Sequence, residues 1–195
     1  VPDKMLVWSE NAARFLQKYS QYPRERCRVV ESVKYSDFGV ISRTSLKGMP
    51  HRKYLFVPTV AKQEIDGFGY FIEQLCDQNV LTADEIILKL HPSSSKFYDL
   101  DKLFATYTAL KHIECVTKTS GIEKYVSVTR CVICGGTTVG VEAAYFNLPV
   151  IQYIPRYGLN FTSLGDHLTV CFSDVTTLKI ALKQCDDLRP VDYRL

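Results

Sequence analysis

The chain has 195 residues, enough for one full hydrophobic core or for one core plus a fragment of a second. At 46% hydrophobic and 23% charged it has the composition of an ordinary water-soluble globular chain, without low-complexity tracts. A formal charge of +3 suits a phosphate-bearing small molecule but falls short of the basic bias of a nucleic-acid binder, and no apolar run reaches the length of a membrane-spanning helix.

The chain begins VPDKML, with neither an initiator methionine nor a signal-peptide pattern, and is expected to be a piece of a longer protein. "MLVWS" reads as a strand. Ser9 can then cap a helix over "ENAARFLQKYSQY", whose apolar positions Ala12, Ala13, Phe15 and Leu16 recur at helical spacing, and "CRVVES" reads as a second strand. From Ser36 to Arg52 the sequence turns polar, with Gly, Pro and basic residues, and reads as a linker. The expected division is therefore 1–52, the end of one domain plus linker, and 53–195, a second domain.

From Lys53 strands and helices alternate. "KYLFVPT" is a strand. "KQEIDGFGYFIEQLCDQN" is a helix from about Ile65, weakened early by its glycines, and "DEIILKLHP" is a strand stopped by Pro92. "FYDLDKLFATYTAL" reads as a helix, "HIECVTK" as a strand and "GIEKYVSVT" as a short helix. "CVICGG", "TVGVEAAYFN" and "PVIQYI" follow as strand, helix and strand. "LTVCF" is the last strand, and "DVTTLKIALKQCDDL" a final helix capped by Asp174. Short apolar strands alternating with helices specify an α/β fold: a doubly wound, mostly parallel sheet, preceded by a short strand-helix-strand segment.

The seven cysteines are scattered, and Cys27, Cys115 and Cys171 lie in apolar runs, so they read as buried free thiols in a reducing compartment. Cys131 and Cys134 have CxxC spacing, but they fall within a strand rather than at a helix N-terminus, and no second ligand pair accompanies them. No carboxylate or histidine cluster has metal-ligand spacing, and neither a metal nor a cofactor is expected.

In such a sheet ligands bind beyond the carboxyl ends of the strands, and three of those ends carry polar chemistry. At the first, Thr59 and Lys62 hand the strand over to its helix; a solvated lysine is the simpler reading there. At the second, "KLHPSSS", His91 takes the last strand position, Pro92 sets the turn, and Ser93, Ser94 and Ser95 offer hydroxyls and a cap. The imidazole there could donate to a phosphate oxygen or assist a leaving group. His51, His112 and His167 have no comparable setting, although His167 lies in a prospective pocket loop. At the third, "CVICGGTTVGVEAAYFNLPVIQY", Gly135 and Gly136 permit a sharp turn and close approach of a ligand to the backbone. Thr137 or Thr138 can cap the next helix, whose N–H groups attract phosphate. Thr138, Glu142 and Tyr145 share one helical face, with Glu142 placed for ribose hydroxyls; Val139, Ala143 and Phe146 form an apolar stripe. The GxGxxG, GxxxxGK[ST] and GxSxG motifs are absent from this sequence.

"EIILKLHP" followed by "CVICGGTTVGVEAAYFNLPVIQY" resembles the donor-binding half of a GT-B glycosyltransferase, and is most similar to polysialyltransferase-like and CDP-glycerol glycerophosphotransferase-like enzymes of bacterial capsules and walls. Here the hydroxyl pair is Thr137-Thr138, and Asn147 stands where a glycine is usual before "LPV". The resemblance implies a Rossmann-like donor domain over 53–195 that binds a nucleotide-activated sugar or polyol phosphate through Thr59, His91, Pro92, Ser93, Gly136, Thr137, Thr138 and Glu142. His91 would be the catalytic group, stabilising the departing nucleotide without a metal. It further implies a glycan or lipid-linked acceptor, a general base in an N-terminal GT-B domain, no transfer by this piece alone, and a cytoplasmic location that leaves peripheral membrane association open. The alternatives are a non-hydrolysing nucleotide-sugar 2-epimerase and a non-catalytic nucleotide- or protein-binding module.

Overall fold

The structure is a computed structural model and describes residues 2–7, 10–30, 53–117, 121–146, 148–156 and 169–185. The expectations for Ser9, the 36–52 linker and its boundary, His51, Asn147, His167 and the Tyr145 side chain lie outside these described residues.

The chain divides into two compact units. In the first, β1 (Met5–Val7) and β2 (Cys27–Val29) pair in parallel, with α1 (Glu10–Ser20) between them. Val7, Ala13, Tyr22 and Cys27 form its small core, and Tyr22 donates its hydroxyl to the Pro2 carbonyl at 2.9 Å. The apolar stripe of α1 is narrower than its periodicity suggests: Ala13 is buried, whereas Phe15 points outward and stacks on Tyr19 with centroids 4.6 Å apart.

The second unit is a six-stranded sheet, parallel throughout, in the order β5-β4-β3-β6-β7-β8. Its strands are β3 (Lys53–Val57), β4 (Ile86–Lys89), β5 (Glu114–Val116), β6 (Thr129–Cys134), β7 (Val150–Tyr153) and β8 (Thr169–Phe172). The helices are α2 (Lys62–Asp77), α3 (Ser94–Phe97), α4 (Leu100–Thr106), α5 (Val139–Tyr145) and α6 (Val175–Gln184). The doubly wound reading therefore holds.

Strand alternation builds two layers. Tyr54, Phe56, Ile86, Leu88, Cys131, Ile133, Ile151 and Phe172 face one side and pack with Ile65, Phe68, Phe71 and Ile72 of α2, Leu103 of α4 and Leu178, Ala181 and Leu182 of α6. Phe68 meets Phe56 edge-on, centroids 6.2 Å apart at 87°, the arrangement favoured by ring quadrupoles. The intervening residues Leu55, Ile87, Val132 and Val150 are buried on the opposite face, and there α5 packs against β6 and β7 through Ala143, Ala144 and Phe146. Every central strand is thus covered twice, which is why its residues read as unbroken apolar runs.

Several local expectations are corrected. Helix α2 begins at Lys62, a turn before Ile65, because its glycines are accommodated; a side chain at Gly69 would lie 2.5 Å from the Tyr107 ring, so this glycine makes room for an aromatic neighbour. The "FYDLDKLFATYTAL" stretch is α3's end, α4 and a 3-10 turn at Thr108–Lys111, with α4 started by the Asp99 carboxylate, which accepts from the Lys102 N–H. "GIEKYVSVT" supplies only a 3-10 turn, Ile122–Lys124. Strand β4 stops at Lys89, so His91 lies two residues beyond it. Asp174 caps α6 as expected, accepting from Thr177 N–H at 2.8 Å. All seven cysteines are free, but Cys171 is exposed and Cys76 and Cys115 only half-buried. Burial pushes the Cys134 thiol up to about 12 and Cys115 to about 11, so neither is a thiolate at neutral pH.

Candidate functional site

β3 and β6 are neighbours in the sheet, yet the chain leaves β3 toward β4 on one side and leaves β6 toward β7 on the other. Their carboxyl ends consequently diverge, opening a crevice at the topological switch point. A cavity of about 480 Å³ occupies it, lined by the ends of three strands: Val57-Pro58-Thr59-Val60 after β3, Lys89, His91, Ser93 and Phe97 from β4 onward, and Gly136-Thr137-Thr138-Val139 after β6. Its size is that of a small-molecule site. Of the residues expected at a site, it gathers Thr59, His91, Ser93, Gly136, Thr137 and Thr138; Pro92, Glu142 and Lys62 are not among its lining residues.

His91 is exposed, and its Nδ1 accepts from the Ser93 N–H at 3.1 Å. With Nδ1 engaged as an acceptor, Nε2 is the ring nitrogen left to donate. Ser93 stands at the N-cap position of α3 without a side-chain cap bond, and Ser94 is buried with an Oγ that has no partner.

The turn after β6 divides its labour between adjacent glycines. Neither adopts the left-handed backbone. At Gly135 a Cβ would fall 1.5 Å from Glu64 Oε1, so the space beside it is filled by the protein's own carboxylate. At Gly136 a Cβ would meet nothing within 4 Å, and here the backbone faces open cavity. Thr138 holds the N-cap position of α5 without a side-chain cap bond, while Thr137 Oγ1, one residue earlier, accepts from Val139 N–H at 3.3 Å. Thr138 Oγ1 reaches Glu142 Oε1 at 3.4 Å. Glu142 is buried, 8% exposed, behind the Thr138 hydroxyl that lines the cavity.

Thr59 is differently placed. Its N–H and hydroxyl both donate to Glu64, at 2.8 and 2.9 Å, and its oxygen accepts from Ala61 N–H at 3.3 Å. The hydroxyl's one proton is spent, so Thr59 shapes the wall and has only lone-pair capacity left for a ligand. Burial raises the pKa of Glu64, opposed by those Thr59 hydrogen bonds. Lys62 is on the surface, its ammonium 2.7 Å from Asp66 Oδ2 and above the Tyr98 ring.

Two features escaped the sequence. Glu64 sits just after the first strand end as an ordinary first-turn helix acid; only the approach of the β6 turn to α2 gives it a role. Lys89 occupies the "KLHP" stretch but lies among apolar strand residues, and its position at the cavity depends on where β4 ends. The rim carries the exposed Val60 and Phe97. Among the described residues no group of three or more His, Cys, Asp or Glu could hold a metal, and no helix is long and apolar enough to cross a membrane.

No family model and no curated protein matches the chain. Solved structures do share its fold. The UDP-GlcNAc 2-epimerase of Methanocaldococcus jannaschii, in complex with UDP-GlcNAc and UDP, superposes with a TM-score of 0.65 at 14% identity, covering 94% of this chain and 54% of its own. The fold is that of a Rossmann-like GT-B half. A glycosyltransferase from Rickettsia africae matches this GT-B-like half with a TM-score of 0.56 at 13% identity, over 95% of this chain and 54% of its own. A variant of the wall teichoic acid polymerase TagF matches at 0.51 and 16% identity, over 95% and 50%. The chain therefore spans about half the length of the solved structures it matches.

Proposed function

We propose that the chain is the donor-binding half of a GT-B glycosyltransferase that uses a nucleotide-activated sugar or polyol phosphate to build a bacterial surface polysaccharide. The observation that carries this reading is the meeting of three polar strand ends around one cavity at the switch point of the sheet. A neighbour of the same fold in complex with UDP-GlcNAc and UDP supports a nucleotide-sugar ligand.

Departure of the nucleotide concentrates negative charge on its phosphate, and donors already aimed at that place lower the barrier without reorganising. His91 Nε2–H and the hydroxyls of Ser93 and Thr137 line the cavity as such donors, and Thr138 lines it with its hydroxyl directed to Glu142. In this reading Gly136 lets the phosphate approach the backbone, Pro92 fixes the His91 turn, Thr59 forms the wall, and Glu142, behind Thr138, accepts from ribose hydroxyls. The reaction is metal-independent, as the resemblance implies. The acceptor, a glycan or lipid-linked glycan, meets its general base on an N-terminal GT-B domain, so this half alone binds donor and transfers nothing. Seven free cysteines fit a reducing, cytoplasmic setting, with peripheral contact at the inner membrane face.

Calorimetric titration with CMP, CDP, UDP, GDP, ADP and NAD tests the reading. It predicts saturable binding of one pyrimidine nucleotide, weakened by Thr138→Ala and by Glu142→Ala. Silence across the panel in a folded sample contradicts it.

A further inference from the structure

Lys89 is the last residue of β4 and is 7% exposed. Ile86 and Leu88 point into the core beneath α2, so Ile87 and Lys89 point to the opposite face. Phe56 pairs with Leu88, which puts Lys89 beside Val57 at the mouth of the switch point, and both residues line the cavity. None of the hydrogen bonds or ion pairs among the described residues involves its ammonium. The charges that act on it are Glu142 and Glu123; burial lowers its pKa and these carboxylates counter part of that. An apolar side chain at a strand position this buried would cost the fold less than a lysine.

We propose that Lys89 is the fixed cation of the site, placed to pair with the phosphate of the bound nucleotide. This rests on the donor-binding reading above and adds a charge to a cavity whose other donors are neutral hydroxyls and an imidazole. A nucleotide phosphate entering between His91 and Thr137 brings Lys89 the counter-charge that the strand does not supply. The carboxylate of Glu142 then faces the ribose side of the same ammonium. The competing account makes Lys89 structural, a tie for Glu142 and Glu123 that has no dealings with a ligand.

The two accounts separate in the full chain by titrating wild type, Lys89→Met and Lys89→Arg with CDP, UDP, cytidine and uridine, alongside thermal unfolding. The inference predicts a Met variant at least as stable as wild type, with affinity for the diphosphate reduced about 10- to 100-fold and nucleoside binding unchanged. It predicts partial recovery in the Arg variant. A Met variant that binds the diphosphate within about twofold of wild type, or that loses nucleoside and diphosphate equally, overturns it. So does a Met variant that fails to fold, because Lys89 is then holding the structure. A wild-type chain that binds none of the four compounds overturns the donor-binding reading as well.

Discussion

The β3 and β6 strand ends face each other across one crevice, yet one is closed by the protein's own carboxylate and the other is open at its backbone. After β3, the donors of Thr59 are spent on Glu64, which also fills the space against Gly135. After β6, Gly136 opens onto the cavity and Thr137 and Thr138 line it. Both ends would pass as ligand-binding turns by residue type. What distinguishes them is what fills the space beside the backbone: the protein's own Glu64 carboxylate against Gly135, and open cavity at Gly136, where a ligand can approach.

The largest expected effect comes from the glycine pair. Gly135→Ala drives a methyl into the Glu64 carboxylate and should cost about 1–3 kcal/mol in unfolding free energy, as overpacking does. Adding Glu64→Ala should recover part of that loss, a coupling that a denaturant-based double-mutant cycle measures directly. Gly136→Ala should leave stability within about 0.5 kcal/mol while weakening nucleotide binding. Equal effects at the two positions would erase the contrast.

A smaller effect separates the ends by pH. Burial raises the folded-state pKa of Glu64 above the unfolded value of about 4.3, so the folded chain holds the extra proton in the window between them. Stability from this group is therefore lost as pH rises through that window. Wild type should lose stability relative to Glu64→Gln as pH rises above about 4.3, the unfolded value, whereas the variant keeps an acceptor for the Thr59 N–H. A difference that stays constant with pH would mean that Glu64 is not buried as described.

The fold was legible because each central strand is covered on both faces, which writes itself as short apolar runs such as "EIILKL" and "CVIC" between helical stretches. The three strand ends were legible for a related reason: Pro92 and the Gly135-Gly136 pair interrupt apolar runs abruptly. Less could be read where partners lie far apart in sequence. Glu64 and Gly135 touch across about seventy residues, and nothing near either one announces the other. Lys89 was hidden by its own strand, because a lysine among isoleucines and leucines looks like an exposed edge until the sheet shows it to be buried. Phe15 failed the opposite way: it has the spacing of a core residue but is 60% exposed, beside Tyr19 on the outer side of α1.

The central claim, that the crevice between the ends of β3, β4 and β6 is where a nucleotide binds, is tested most directly by amide chemical-shift mapping of the labelled chain titrated with UDP and with CDP. The account predicts saturable shifts concentrated at residues 89–94 and 135–139, with the β1-α1-β2 unit unmoved. Shifts centred elsewhere, or none at saturating nucleotide in a folded chain, would contradict it.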